Sequence, residues 1–265
     1  MQFQVHNVRA ATVWGSGGRG YDKVSECVAD SIEHLLNRID VKPGERVLDL
    51  ATGTGWTARR LAQKGAHVTG VDIGEGVIAA ARHFASEANL KIDFQVGDAE
   101  QIELPDAAFD VITSTCGIMF ATRPEAAAAE LGWLCRRGGR IGLTVWTPDS
   151  TIGDMFAMLR PYMPPPPHPA PPSPFEWGRP DRVHSLLGAN FDLKIERATT
   201  VLRMPSGKAA WDIFVEGYGP TNALHQSTDR KDELERDFIA FHEAHRTEMG
   251  IAMPRDYLVI IGIRH

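Results

Sequence analysis

Val47, Leu48 and Leu50 form a short apolar run that stops at Ala51-Thr-Gly-Thr-Gly55, after which Ala58, Leu61 and Ala62 recur on one helical face. The pattern predicts a strand, a tight turn and a helix. Glycine at 53 and 55 lets the chain reverse without a Cβ penalty and lets backbone come close to a ligand, while a helix opening near Gly55 aims unpaired N–H groups at it. The alternation continues with strands expected at 67–72, 92–96, 107–115 and 139–146 and helices at 75–88 and 124–137. Helices separating strands in this way imply a parallel sheet.

Outside this stretch the pattern changes. Residues 1–20 contain Trp14 and then Gly15-Ser-Gly-Gly-Arg-Gly20, a composition that predicts no regular element, and Tyr21 opens a helix to about Arg38. Nine of the fourteen residues from Pro161 to Pro174 are proline, which excludes helix and central strand and predicts a stiff loop near the substrate end of the sheet. Beyond it come a short helix at 181–187, a strand at 191–203, helices at 208–216 and 229–249 and a closing apolar strand at 257–264. Arg136, Arg137 and Arg140 read as charges at a helix C-terminus rather than an anion site.

At 265 residues and 43% hydrophobic composition the chain can form one large α/β domain with an insertion. A net charge of −6 argues against a phosphate-backbone surface and hence against nucleic acid. The N-terminus lacks a signal-peptide pattern and no apolar run approaches the ~18 residues of a membrane span, so a cytoplasmic protein without a membrane partner is expected. Cys27, Cys116 and Cys135 are read as free thiols. His242-Glu-Ala-His245 lacks the i, i+4 histidine spacing of a zinc helix and reads as a solvated face, so no metal is expected.

Gly53-Thr-Gly55-Trp-Thr-Ala58 with Asp72 further on fits the loose dinucleotide fingerprint. Asp49, inside the first strand, instead suits a ligand with a cationic amino group and would repel a pyrophosphate. Together with Val71-Asp72-Ile73, Gly97-Asp98-Ala99-Glu100 and Phe109-Asp-Val-Ile-Thr-Ser-Thr115, the stretch Asp49–Gly55 resembles the class I S-adenosylmethionine-dependent methyltransferases over roughly residues 40–147. The likeness is nearest to the ubiquinone and menaquinone biosynthesis type of small-molecule enzyme.

The resemblance implies a Rossmann-like, doubly wound seven-stranded sheet of order 3-2-1-4-5-7-6 with the last strand antiparallel, under a C-terminal helical cover. It divides one overall domain into an N-terminal lid and helix (1–40), a cofactor core (41–150), the proline-rich loop with the substrate cover (151–255) and the last strand (256–265). It implies that Gly53 and Gly55 leave room for the methionine end of S-adenosylmethionine, that Asp49 helps hold its amino group, and that Asp72 takes the ribose hydroxyls. Asp98 would accept from the adenine amine, the Ala99 N–H would face a ring nitrogen, and Ile73 would cover the adenine face. Ala51, Glu100 and Thr115 complete the expected wall, and Tyr21, with Trp14 second, is the aromatic candidate for the lid.

Ser114–Phe120 contains no Asn/Asp-Pro-Pro-aromatic motif of the kind carried by enzymes that methylate amino groups of DNA or protein glutamine. A small-molecule acceptor is therefore expected, attacked in line through oxygen, nitrogen, sulfur or carbon, with Trp146, Phe175 and Trp177 as candidate pocket walls. His168, then His184 and His225, are the candidates for a base. A non-catalytic cofactor-binding module and, with less support, an NAD-dependent oxidoreductase remain as alternatives, and a homodimer is left open.

Overall fold

The computed structural model describes residues 3–165 and 170–265. Three helices, α1 (Val8–Gly15), α2 (Tyr21–Glu26) and α3 (Ala29–Ile39), precede the first strand. The core then alternates β1 (Arg46–Leu50), α4 (Trp56–Gln63), β2 (His67–Asp72), α5 (Glu75–Glu87), β3 (Asp93–Val96), β4 (Phe109–Thr115), α6 (Pro124–Leu134) and β5 (Cys135–Trp146). There follow α7 (Thr151–Leu159), α8 (Pro180–Leu187), β6 (Phe191–Met204), α9 (Gly207–Gly217), α10 (Gly219–Ser227), α11 (Lys231–Glu243), the two-residue β7 (Arg246–Thr247) and β8 (Gly250–Arg264).

The strands lie in the order β3-β2-β1-β4-β5-β8-β6, with β7 paired to the start of β8. The first five are parallel, and β8 runs antiparallel between β5 and β6. This is the path that the resemblance implies, with the short β7 as an extra strand. Buried side chains of β1, such as Val47, Leu48 and Leu50, pack into two apolar clusters, one of which also holds Leu61 and Ile78 and the other Leu131 and Val183. Because the chain order reverses between β1 and β4, the loops after these strands separate and leave a crevice at their carboxyl ends.

Several boundaries differ from the sequence reading. Residues 8–15 form a helix: the glycine-rich stretch after it is contact surface that lies against α5 and α9, so tertiary packing orders what local composition does not. The helix expected from Tyr21 to Arg38 breaks at Cys27 and Val28 into α2 and α3. Helix α6 ends at Leu134, because Cys135 already pairs with Phe109 in the sheet. Arg136 and Arg140 are therefore strand residues, held by Asp110 at 2.6 Å and Glu45 at 2.7 Å.

Helix α7 was not expected. The helix expected over 229–249 stops at Glu243, and the chain turns back through β7. Strand β8 begins seven residues earlier than expected, at Gly250, because the ladder with β6 continues through Pro254, whose partner is Val201. His242 is not on a solvated face. It is fully buried, its Nδ1 bonds to the Phe238 carbonyl at 2.9 Å, and burial holds its basicity below that of an ordinary imidazole.

Candidate functional site

Two cavities open at the carboxyl ends of the parallel strands. The first, of about 720 Å³, is bounded by Gly53, Asp72, Ile73, Asp98, Ala99 and Glu100 from the core and by Asn7 and Trp14 from the N-terminal helices. The second, of about 780 Å³, is bounded by Val28, Thr115, Trp146, Ile152, Phe156 and Arg255 among others. Tyr21, Ala51, Gly53, Cys116, Gly117 and Phe120 belong to both walls.

The turn after β1 is set by its backbone conformation and by two hydrogen bonds to Asp72. Gly53 has φ +55°, a left-handed backbone that favours glycine, and Ala51 adopts φ +53° despite its side chain. Asp72 at the end of β2 reaches across to the turn: its Oδ2 accepts the Gly53 N–H at 2.8 Å and its Oδ1 the Gly74 N–H at 2.8 Å. Burial pushes this carboxyl up, and the backbone N–H bonds oppose the shift. Each oxygen retains acceptor capacity toward the first cavity.

Asp49 lies beneath the turn and borders neither cavity. Its carboxylate accepts the hydroxyls of Thr52 at 2.6 Å and Thr113 at 2.8 Å, and burial raises its pKa to about 6. Gly55 also stands outside both cavities. A Cβ built on it would meet the Phe94 ring at 2.6 Å and its φ is +78°, so packing and backbone conformation both call for glycine here.

Asp98 accepts the Asn7 side-chain amide at 3.0 Å and the Glu100 N–H at 3.0 Å. The acceptor assigned to adenine by resemblance is thus engaged by the N-terminal segment. Asn7 Oδ1 accepts the Thr122 hydroxyl at 2.9 Å, and Glu100 accepts from the Arg123 N–H at 2.9 Å and pairs with His6 at 2.7 Å. Burial works to raise the Glu100 carboxyl, but these bonds outweigh it and hold the group below the usual carboxylate range.

Tyr21 sits over the turn, its Cε1 3.1 Å from where a Gly53 Cβ would be, with its ring stacked near that of Tyr218. Helix α2 is latched there by Asp22, which accepts the Thr54 hydroxyl at 2.7 Å and pairs with Arg59 at 2.9 Å. Thr115 bonds to Thr57 at 2.8 Å in the wall of the second cavity.

Trp146 lines the second cavity. Phe175 packs edge-on against Phe156 at 5.2 Å without bordering either cavity, and Trp177 is a core residue with 1% exposure that also borders neither. His168 lies outside the described residues. His184 is exposed on α8, and His225 packs against Trp211, so neither borders the cavities. Among the described residues no group of three or more His, Cys, Asp or Glu side chains is arranged to hold a metal ion, and no helix is long and apolar enough to cross a membrane.

Asn7, Asp22, Cys116, Gly117, Phe120 and Arg255 enter the site without a local sequence signal. They are brought in by the N-terminal helices, the loop after β4 and the antiparallel strand β8.

Five parallel strands with a reversal between β1 and β4 and an antiparallel β8, a glycine turn tied by an acid at the end of β2 and a second acid after β3 define a nucleotide-type cofactor fold of the methyltransferase kind. The profile of the Methyltransferase domain matches residues 47–139. An uncharacterised protein of Mycobacterium tuberculosis is 34% identical over 226 residues, which cover 84% of this chain and 79% of that one. A malonyl-[acyl-carrier protein] O-methyltransferase of Serratia marcescens is 32% identical over 137 residues, covering 52% of each chain. The crystal structure of the YcgJ protein from Bacillus subtilis superposes with a TM-score of 0.64 at 19% identity, over 89% of this chain and 99% of that one. The chain belongs to the class I S-adenosylmethionine-dependent methyltransferases.

Proposed function

We propose that this methyltransferase holds S-adenosylmethionine in the first cavity and methylates a small apolar molecule in the second. The observation that supports this most is the wall common to both cavities, to which Tyr21, Gly53, Cys116 and Gly117 belong. Asp72, placed by two N–H bonds, offers its spare lone pairs to the ribose hydroxyls, and Ile73 and Ala99 offer apolar faces to adenine. When bound, S-adenosylmethionine supplies an electrophilic methyl group on a sulfonium.

With Asp72, Ile73 and Ala99 holding that cofactor, its methyl group would pass to a lone pair of the acceptor and the carbon–sulfur bonding pair would stay on sulfur. This chain's part is to align and desolvate. Positioning of this kind is worth effective molarities of about 10⁵ to 10⁸ M. Tyr21, Cys116 and Tyr218 line the second cavity, and burial pushes all three up, the Cys116 thiol to about 11. None of them is a competent base near neutral pH. Among the described residues the reading therefore favours an acceptor that is nucleophilic without help.

Calorimetric titration with S-adenosylhomocysteine and, separately, with NAD tests the cofactor. Micromolar binding of the first and none of the second is expected; the opposite pattern would return the chain to redox chemistry.

A further inference from the structure

We propose that acceptors for the second cavity carry a carboxylate on an apolar body, and that Arg255 is the anchor for that carboxylate; the assignment rests on the two-cavity reading above. Arg255 is a strand residue of β8 that points into the site, whereas the next residue, Asp256, bonds to Arg197 and Thr199. Its side chain is 2% exposed, with the guanidinium carbon 5.6 Å from the centre of the Trp146 ring.

The charge is poorly satisfied. The Nη2 group donates to the Cys27 carbonyl, Nε has no hydrogen-bond partner, and among the described residues the guanidinium forms no ion pair. Asp30 is the acid whose charge reaches it, and that carboxylate already accepts from the Ser31 N–H and the Thr200 hydroxyl. Around it the wall includes Val28, Trp146, Ile152 and Phe214. Arginine cannot shed its proton to escape such a place, and a buried unpaired charge is strongly unfavourable. A ligand carboxylate entering from the second cavity supplies the opposite charge that this guanidinium lacks.

Position separates this anchor from the reacting atom. Arg255 borders the second cavity alone, and the methyl group would enter from the wall common to both cavities. A carboxylate held by a guanidinium is also a weak nucleophile, so the methylated atom lies elsewhere on the acceptor. A neutral acceptor of the same shape leaves the guanidinium unpaired and is disfavoured.

The test is calorimetry with 4-phenylbutyrate, octanoate and the primary amide of each, with and without saturating S-adenosylhomocysteine. The acids are expected to bind the wild-type protein at least tenfold more tightly than the amides. Arg255→Met is expected to erase that preference while leaving S-adenosylhomocysteine affinity within about twofold, and Arg255→Lys to keep part of the preference. Equal binding of acids and amides, no binding of either acid, or a preference that survives in Arg255→Met would overturn the assignment. So would loss of S-adenosylhomocysteine binding in that variant, which would place the guanidinium on the cofactor's own carboxylate. Failure of the wild-type protein to bind S-adenosylhomocysteine would sink the two-cavity reading instead, and the acid preference measured without it would stand separately. If Arg255→Met does not fold, Arg255→Lys carries the test, and an acid preference in that variant unchanged from wild type would overturn the assignment.

Discussion

The Asp72 carboxylate accepts the Gly53 N–H at 2.8 Å, so the end of β2 fixes the glycine turn that follows β1. Its second oxygen holds the Gly74 N–H at 2.8 Å at the start of α5. One side chain thereby places two backbone segments that border the first cavity while keeping lone pairs for a ligand.

Asp72→Asn is expected to weaken S-adenosylhomocysteine binding at least tenfold, because the amide offers one acceptor oxygen where two are used. Asp72→Ala should weaken it about a hundredfold and also lower stability, since two buried N–H groups lose their partner at about 1 to 3 kcal/mol each. Calorimetric titration and chemical denaturation of both variants check this. Unchanged affinity in Asp72→Ala would remove Asp72 from the binding site.

Tyr21 borders both cavities, and among the described residues its hydroxyl makes no hydrogen bond. Tyr21→Phe should therefore bind S-adenosylhomocysteine like wild type, and Tyr21→Ala about tenfold more weakly. Equilibrium titration distinguishes the two outcomes, and a loss in Tyr21→Phe would show that the hydroxyl matters.

Phe94 lies against Gly55 and Gly70, and a Cβ on Gly70 would come within 2.6 Å of its ring. Gly70→Ala should cost about 1 to 3 kcal/mol by overpacking. Phe94→Leu in the same chain should recover part of that loss, and a double-mutant cycle by urea denaturation measures the coupling. Additive losses would mean that the contact is not the cause.

Asp49 carries a folded-state pKa of about 6 against an ordinary value of 3.8, because burial disfavours its charge. The folded protein thus holds this proton more tightly than the unfolded chain. The associated stability is complete below about pH 3.8 and is lost as pH rises through about 6, a change on the order of 3 kcal/mol. Compared with Asp49→Asn, the wild-type protein should lose about that much stability between pH 4 and pH 7. Parallel denaturation curves for the two proteins test the sign, and a pH-independent difference would contradict it.

Much of the core is legible along the chain because its determinants are local. The apolar run of β1, the glycines at 53 and 55 and the acids at 72 and 98 are short-range patterns, and each marks a strand end or turn whatever the rest of the chain does. The sheet order needed the resemblance, since strand neighbours are not encoded in local spacing.

What tertiary structure alone decided is how those groups are used. Gly55 serves the Phe94 ring, and Asp49 serves two threonine hydroxyls, since the packing layer beneath the turn is built from residues distant in sequence. The glycine-rich N-terminus is ordered because α5 and α9 give it a surface, and Asn7 reaches Asp98 across 91 positions. Arg255 reads as an ordinary charge after a proline; only the antiparallel insertion of β8 beside β5 puts it, buried, next to Trp146. Local pattern fixes where the backbone turns, whereas burial and pairing, which set the energy of a charge, depend on every element that packs around it.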